Sequence, residues 1–189
     1  SEHDGIKILS VSYLSPVKRV DKIIDVVSVF DNIKVEWTHI GGGVLDEKIN
    51  EYAKEKLSSK KNVSYVLKGY MQNEEVMEYV KNNEFDFLLN VSYSEGLPVS
   101  MMEAMSAGIP VIGTDVGGVN EIINDGYNGY LVNRDFDNEE LKGVIEKFYY
   151  NENKEQMRNN AYNTWKNKFY DNLNYNDFSN EIDKIFEER

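Results

Sequence analysis

Glu95 and Glu103 bracket a stretch, Gly-Leu-Pro-Val-Ser-Met-Met, whose residue types suit the holding of an anion. Gly96 lets backbone approach a ligand closely, and Pro98 fits the first turn of a helix, where its missing N–H costs nothing. A helix over Pro98–Ala107 would aim free amides and the positive end of its dipole at the loop Ser92–Leu97. Lys18 and Arg19 stand side by side after the first strand-like run and could converge on the same point. A diphosphate is a natural guest there, because its negative groups can be shared between helix amides and basic side chains. Glu103 lies about one turn, roughly 5.4 Å, inside the helix. Its ionised carboxylate only accepts hydrogen bonds, and two acceptor oxygens match a vicinal diol such as the ribose 2′ and 3′ hydroxyls. Glu95 reaches the other side. One carboxylate for a ribose and one for a sugar, with phosphates between them, describes a nucleotide-sugar site.

The elements that must position these residues alternate along the chain. Strand patterns cover Ile6–Tyr13, Lys34–Ile40, Asn62–Leu67, Phe85–Val91, Pro110–Gly113 and Gly129–Val132. Helix patterns cover Arg19–Phe30, Leu45–Leu57, Asn73–Lys81, Pro98–Ala107 and Val119–Ile123, with Val20, Ile23, Ile24, Val27 and Phe30 forming one apolar stripe. Strands separated by helices imply right-handed crossovers, so the fold class is α/β, a doubly wound parallel sheet. Ligands of such sheets sit beyond the carboxyl ends of the strands, where the Lys18, Gly41-Gly42-Gly43 and Glu95 loops fall. After Arg134 only helices are expected: Glu139–Tyr150, Lys154–Phe169 and Tyr175–Glu188, with the Asn-rich stretch Asn151–Asn180 read as solvated surface.

The chain has 189 residues, 41% hydrophobic and 29% charged, which suits one globular domain and excludes a disordered or fibrous class. Its net charge of −12 opposes nonspecific binding to nucleic acid or anionic lipid, so an anionic ligand must be held locally. With no Cys there is no thiolate chemistry or disulfide framework, and 2 His make imidazole metal sites unexpected. No run approaches the roughly 18 apolar residues of a membrane span, so the chain reads as soluble and cytoplasmic. Its start without Met, almost directly on an apolar run, suggests a piece of a longer protein.

Several of these residues have plainer readings. Cations at a helix start oppose the dipole, so Lys18 and Arg19 could be solvated charges. The three glycines are as compatible with a tight turn as with a ligand contact. His39, among apolar residues, reads as a core histidine, and Met101, Met102 and Met105 as helix packing. A nicotinamide dehydrogenase would need Gly-x-Gly-x-x-Gly after the first strand, where the chain has Leu14-Ser15-Pro16-Val17-Lys18. A glycosidase built on the two glutamates leaves the phosphate-ready helix terminus unexplained.

The run from Glu95 to Ile123, with its two glutamates separated by seven residues and the second opening Glu-Ala-Met, then Gly-Ile-Pro-Val, Val-Gly-Gly and Glu-Ile-Ile, resembles the signature of the retaining GT-B glycosyltransferases of group 1 (GT4). Asp125-Gly-Tyr-Asn-Gly-Tyr-Leu-Val132 extends the likeness, which runs from about Ile6 to Val132. The resemblance implies a Rossmann-like lobe of a GT-B fold, about 1–134, with a helical tail over 135–189, lacking the N-terminal acceptor lobe. It also implies transfer of a sugar from a UDP-, GDP- or ADP-sugar, with retention and no obligatory metal or other cofactor. The acceptor is then a glycan or lipid-linked molecule of surface polysaccharide biosynthesis. Glu95 would contact the sugar, Glu103 the ribose, and Lys18 the diphosphate. The amides of Gly96, Leu97, Pro98 and Val99 fall beside sugar and phosphate, and the base against Gly69-Tyr70-Met71, Tyr70 either stacking on it or merely packing.

The chain departs from the family where a Gly-Arg pair usually ends the first strand, since Ser12 and Tyr13 stand there. Arg19 replaces the glycine common after the Lys and is a candidate for the missing cation. The second-strand loop, usually carrying an acidic residue among its glycines, is Gly41-Gly42-Gly43. A nucleotide-sugar epimerase and an inactive nucleotide-sugar-binding domain are the alternative functions.

Overall fold

Short runs rich in Ile, Val and Leu become strands, and amphipathic runs become helices, in a computed structural model that describes residues 5–170. The strands are β1 (Ile6–Val11), β2 (Val35–Ile40), β3 (Val63–Leu67), β4 (Phe87–Asn90), β5 (Val111–Thr114) and β6 (Gly129–Val132). The helices are α1 (Val20–Ser28), α2 (Asp46–Leu57), α3 (Asn73–Asn82), α4 (Val99–Ser106), α5 (Val119–Ile122), α6 (Asn138–Tyr149) and α7 (Lys154–Lys168). The strands pair in parallel in the order β3-β2-β1-β4-β5-β6, the doubly wound arrangement of a Rossmann-like lobe.

β1 is central and buried on both faces. Ile8 sits between Trp37 of β2 and Phe87 of β4 in register, and joins the core under α1, α2 and α6. Its neighbour Leu9 points the other way, into the core with Leu88, Met101, Met105 and Val111. Met101, Met102 and Met105 are buried there as packing residues.

The order reverses at β1 and β4. The chain leaving β1 passes through a short 3₁₀ turn, Pro16–Lys18, into α1 on one face, while the chain leaving β4 enters α4 on the other. The two loops therefore diverge and open a crevice between them, the place where such sheets hold ligands.

The helices after Arg134 belong to the core. Leu141, Ile145 and Phe148 of α6 close one face, and α7 lies against α4. The expectation of solvated surface over Asn151–Asn180 is corrected in its described part. Asn160 is buried, donates to the Tyr127 carbonyl at 2.9 Å and accepts from Gln156, while Met157 and Ala161 face the core. An asparagine whose amide oxygen and nitrogen are both hydrogen-bonded can be interior, which composition alone does not reveal. The expected helix Tyr175–Glu188 lies outside the described residues. Among the described residues no helix is long and apolar enough to cross a membrane.

Candidate functional site

Strand β4 ends Leu-Leu-Asn and the chain continues Val-Ser, so two polar side chains follow directly on an interior strand. Both turn toward Glu95. Its Oε1 accepts from Lys18 Nζ at 2.7 Å, from Asn90 Nδ2 at 3.0 Å and from Ser92 Oγ at 2.6 Å. Burial works against the charge on Glu95, but these three donors outweigh it and hold its carboxyl below the usual carboxylate range. Glu95 is thus a fixed, ionised acceptor whose side chain is only 8% exposed. Asn90 and Ser92 were not singled out in the sequence; a polar pair closing an apolar run was their only signal.

Glycine backbones support this loop from the β5 side. A Cβ on Gly117, whose φ is +52°, would stand 1.8 Å from the Glu95 carbonyl oxygen, so only glycine permits the contact. Gly118 N–H donates to the Gly96 carbonyl at 3.3 Å. On the other side Tyr93 N–H donates to the Val17 carbonyl at 2.8 Å, tying the β4 loop to the β1 loop. The glycines after β2 serve a similar purpose. A Cβ on Gly41 would fall 1.9 Å from the Ser12 carbonyl oxygen, so that run is a backbone-to-backbone contact between loops.

A cleft of about 360 Å³ lies at this junction. Ser12, Lys18, Met71, Glu95 and Leu97 line it, together with Pro98 and Val99 at the start of α4. Pro98 stands at the N-cap position, one residue before the helix, and not in its first turn as expected. Proline has no side-chain acceptor to cap the helix, and no side chain does so. The amides and the positive dipole end therefore remain directed at the cleft. A larger cavity of about 690 Å³ lies at the amino ends of the strands, where Glu84, Asp86, Glu152 and Glu155 contribute to its wall. Lys154 and Arg158 line it too, at the start of α7, but it lies away from the switch-point loops.

Not every expected residue reaches the cleft wall. Gly96 is exposed beside it, and a Cβ there would meet nothing within 4 Å. Tyr70 is 74% exposed, its hydroxyl donating to Gln72 at 3.2 Å, so its ring packs against little. Glu103 is half-buried on α4, one turn beyond Val99. Arg19 is placed away from the cleft wall as well. Its guanidinium donates to the carbonyls of Val91, Ser92 and Arg134, so it serves loop backbone and is not among the residues lining the cleft.

His39 is a core residue, as expected. Trp37 Nε1–H donates to Ser10 Oγ at 2.9 Å, and Ser10 Oγ in turn is hydrogen-bonded to His39 Nδ1 at 2.8 Å. Nε2 is buried without a hydrogen-bond partner. Burial lowers the imidazole pKa to about 4, against the pull of the Ser12 backbone and Asp46.

With the geometry in place, likeness to known proteins decides the family. Residues 1–164 match the profile described as glycosyl transferases group 1. The chain belongs to that family. It is 34% identical over 152 residues to the uncharacterized glycosyltransferase MJ1178 of Methanocaldococcus jannaschii, covering 79% of this chain and 39% of the relative. It is 34% identical over 126 residues to the O-antigen biosynthesis glycosyltransferase WbnH of Escherichia coli, covering 67% and 33%. Among solved structures, the lipopolysaccharide outer core galactosyltransferase WaaB superposes with a TM-score of 0.75 at 26% identity, over 97% of this chain and 51% of that one. A variant of S. aureus TarM, solved with fondaparinux, alpha-GlcNAc-glycerol and UDP, gives a TM-score of 0.73 at 25% identity, over 89% and 34%. The chain thus spans from one third to about half of the length of these group 1 relatives.

Proposed function

We propose that the chain is the donor-binding lobe of a retaining GT-B glycosyltransferase, and that its switch-point cleft takes a nucleoside-diphosphate sugar. The observation that carries this reading is the meeting of Lys18, ionised Glu95 and the uncapped N-terminus of α4 at one crevice. The diphosphate lies across the helix amides and Lys18, where the leaving group gathers negative charge during transfer. Glu95, kept ionised, accepts hydroxyls of the sugar. Glu103 takes the ribose diol one turn along α4, and the base rests against backbone over Gly69–Met71. Ser12 contributes to the cleft wall from β1.

The acceptor, a glycan or lipid-linked molecule, is assigned to a second lobe beyond this chain. Relatives named for O-antigen and amylovoran biosynthesis support a place in surface polysaccharide assembly. The UDP in the TarM complex supports a uridine donor first among the candidates.

Calorimetric titration of this chain with UDP, GDP, ADP and their common sugars tests the reading. Saturable binding of one of them, weakened by Lys18→Ala, is the expected result. No binding by any would overturn it. Transfer by the full coding sequence, with NMR assignment of the product anomer, then separates retention from inversion. Release of an epimerised sugar would point to an epimerase. Binding without transfer would point to the inactive domain, which Tyr13 in the place of an Arg favours.

A further inference from the structure

Arg19 is the only residue other than glycine among the described residues with a positive φ, at +48°. It joins the 3₁₀ turn of Lys18 to α1 in the left-handed conformation, which a side chain disfavours. Something must offset that strain, and the guanidinium supplies it. Nε donates to the Val91 carbonyl at 2.7 Å, and one terminal nitrogen to Ser92 at 3.4 Å, both in the stem of the Glu95 loop. The other terminal nitrogen donates to the Arg134 carbonyl at 2.8 Å, in the loop after β6. The guanidinium carbon also lies 5.0 Å from the centre of the Phe136 ring and 5.6 Å from that of Tyr93. A planar fork with fixed donors can serve carbonyls on two loops at once, while an ammonium cannot reproduce that geometry.

We propose that Arg19 is a positioning residue, clamping the stem of the Glu95 loop to the β6 loop so that Glu95 stays opposite Lys18 for sugar transfer. This rests on the donor-site reading above and gives Arg19 a role other than binding the diphosphate. Lys18 precedes Arg19 directly and pairs with Glu95, so the clamp and the pair close one ring of contacts between the β1 and β4 loops. Burial lowers the Arg19 pKa, while the nearby carboxylates of Asp135 and Asp21 pull it up and Arg134 pulls it down.

The test uses the full coding sequence carrying Arg19→Gly or Arg19→Lys. Glycine accepts the backbone conformation, so the first variant carries no backbone strain at this position and loses the clamp together with its charge. Lysine keeps the charge but loses the fork. Both are expected to exchange the amides of residues 92–97 about tenfold faster or more and to lower kcat about tenfold or more. Affinity for the nucleoside diphosphate that binds the unmodified protein stays within about threefold. Affinity lost in Arg19→Gly and restored in Arg19→Lys would show a diphosphate ligand and overturn the proposal. Unchanged amide exchange or unchanged kcat in both variants would also overturn it. Should Arg19→Gly fail to fold, Arg19→Lys carries the same readouts. A protein that binds no nucleoside diphosphate before any substitution refutes the donor reading instead, so the two failures are distinct.

Discussion

Lys18 Nζ donates to Glu95 Oε1 at 2.7 Å, across the gap between two loops that leave neighbouring strands for opposite faces of the sheet. The two residues are 77 positions apart in sequence. The pair neutralises a cation and a carboxylate that the proposed donor engages separately, Lys18 through phosphate and Glu95 through hydroxyls. Lys18→Ala should lower turnover of the full-length enzyme by about 10²–10³, the scale of one lost charge-stabilising donor. The fold should persist, because Ser92 and Asn90 still satisfy Glu95. Steady-state kinetics with a labelled donor decide the matter, and unchanged turnover would remove Lys18 from the mechanism.

Ser92 supplies the shortest bond to Glu95, at 2.6 Å, from a position only 1% exposed. Ser92→Ala removes one donor to a buried carboxylate, at a cost of about 1–3 kcal/mol. Glu95 should then titrate nearer the ordinary range. Denaturant melts and carboxyl NMR titration read the two effects, and a Glu95 that titrates as before would show that Lys18 and Asn90 suffice.

Gly117 and Gly126 both have positive φ, but only Gly117 touches the site. A Cβ on Gly126 meets nothing within 4 Å, so Gly126→Ala should cost about 1–2 kcal/mol from backbone strain alone. Gly117→Ala adds a clash with the Glu95 carbonyl and should cost about 3 kcal/mol or more, with nucleotide affinity falling at least about tenfold. Equal effects of the two substitutions on affinity would mean that the Gly117 contact does not shape the cleft.

His39 sets a window of acid sensitivity. Its pKa is 6.5 unfolded and about 4 folded, so between those values the unfolded chain binds a proton that the native state refuses. Stability therefore falls as pH drops from 6.5 to 4, by on the order of 3 kcal/mol in total. Glu95 acts lower: its folded pKa is depressed, so its contribution is present above about 4.5 and is lost as pH falls through the folded value. His39→Asn, which keeps a polar group beside Ser10, should flatten the upper part of the profile. Urea melts from pH 7 to pH 4 measure this, and an unflattened profile would place the titrating group elsewhere.

The sequence by itself determined the order of elements and their class. Period-2 and period-3.6 patterns reflect local backbone geometry, so β6 was read without error and the other described elements to within a residue or so at most ends. It also marked Glu95, Lys18 and the helix after Pro98, since residue type carries charge and donor count wherever the chain goes. The main misses were local as well: β1 ends at Val11, before Ser12 and Tyr13, β4 starts at Phe87 and not at Phe85, and α1 ends at Ser28 and not at Phe30. Tertiary structure decided how the side chains are spent. Arg19 looked like a second phosphate cation until its guanidinium met three carbonyls from distant loops. Asn160 looked like solvated surface until Tyr127 and Gln156 used its amide. Arg19 finds all three carbonyls, and Asn160 finds Tyr127, far away in sequence, because hydrogen bonding is short-ranged in space and blind to separation along the chain. Patterning therefore fixes where an element runs, while only packing fixes which polar group each side chain finds.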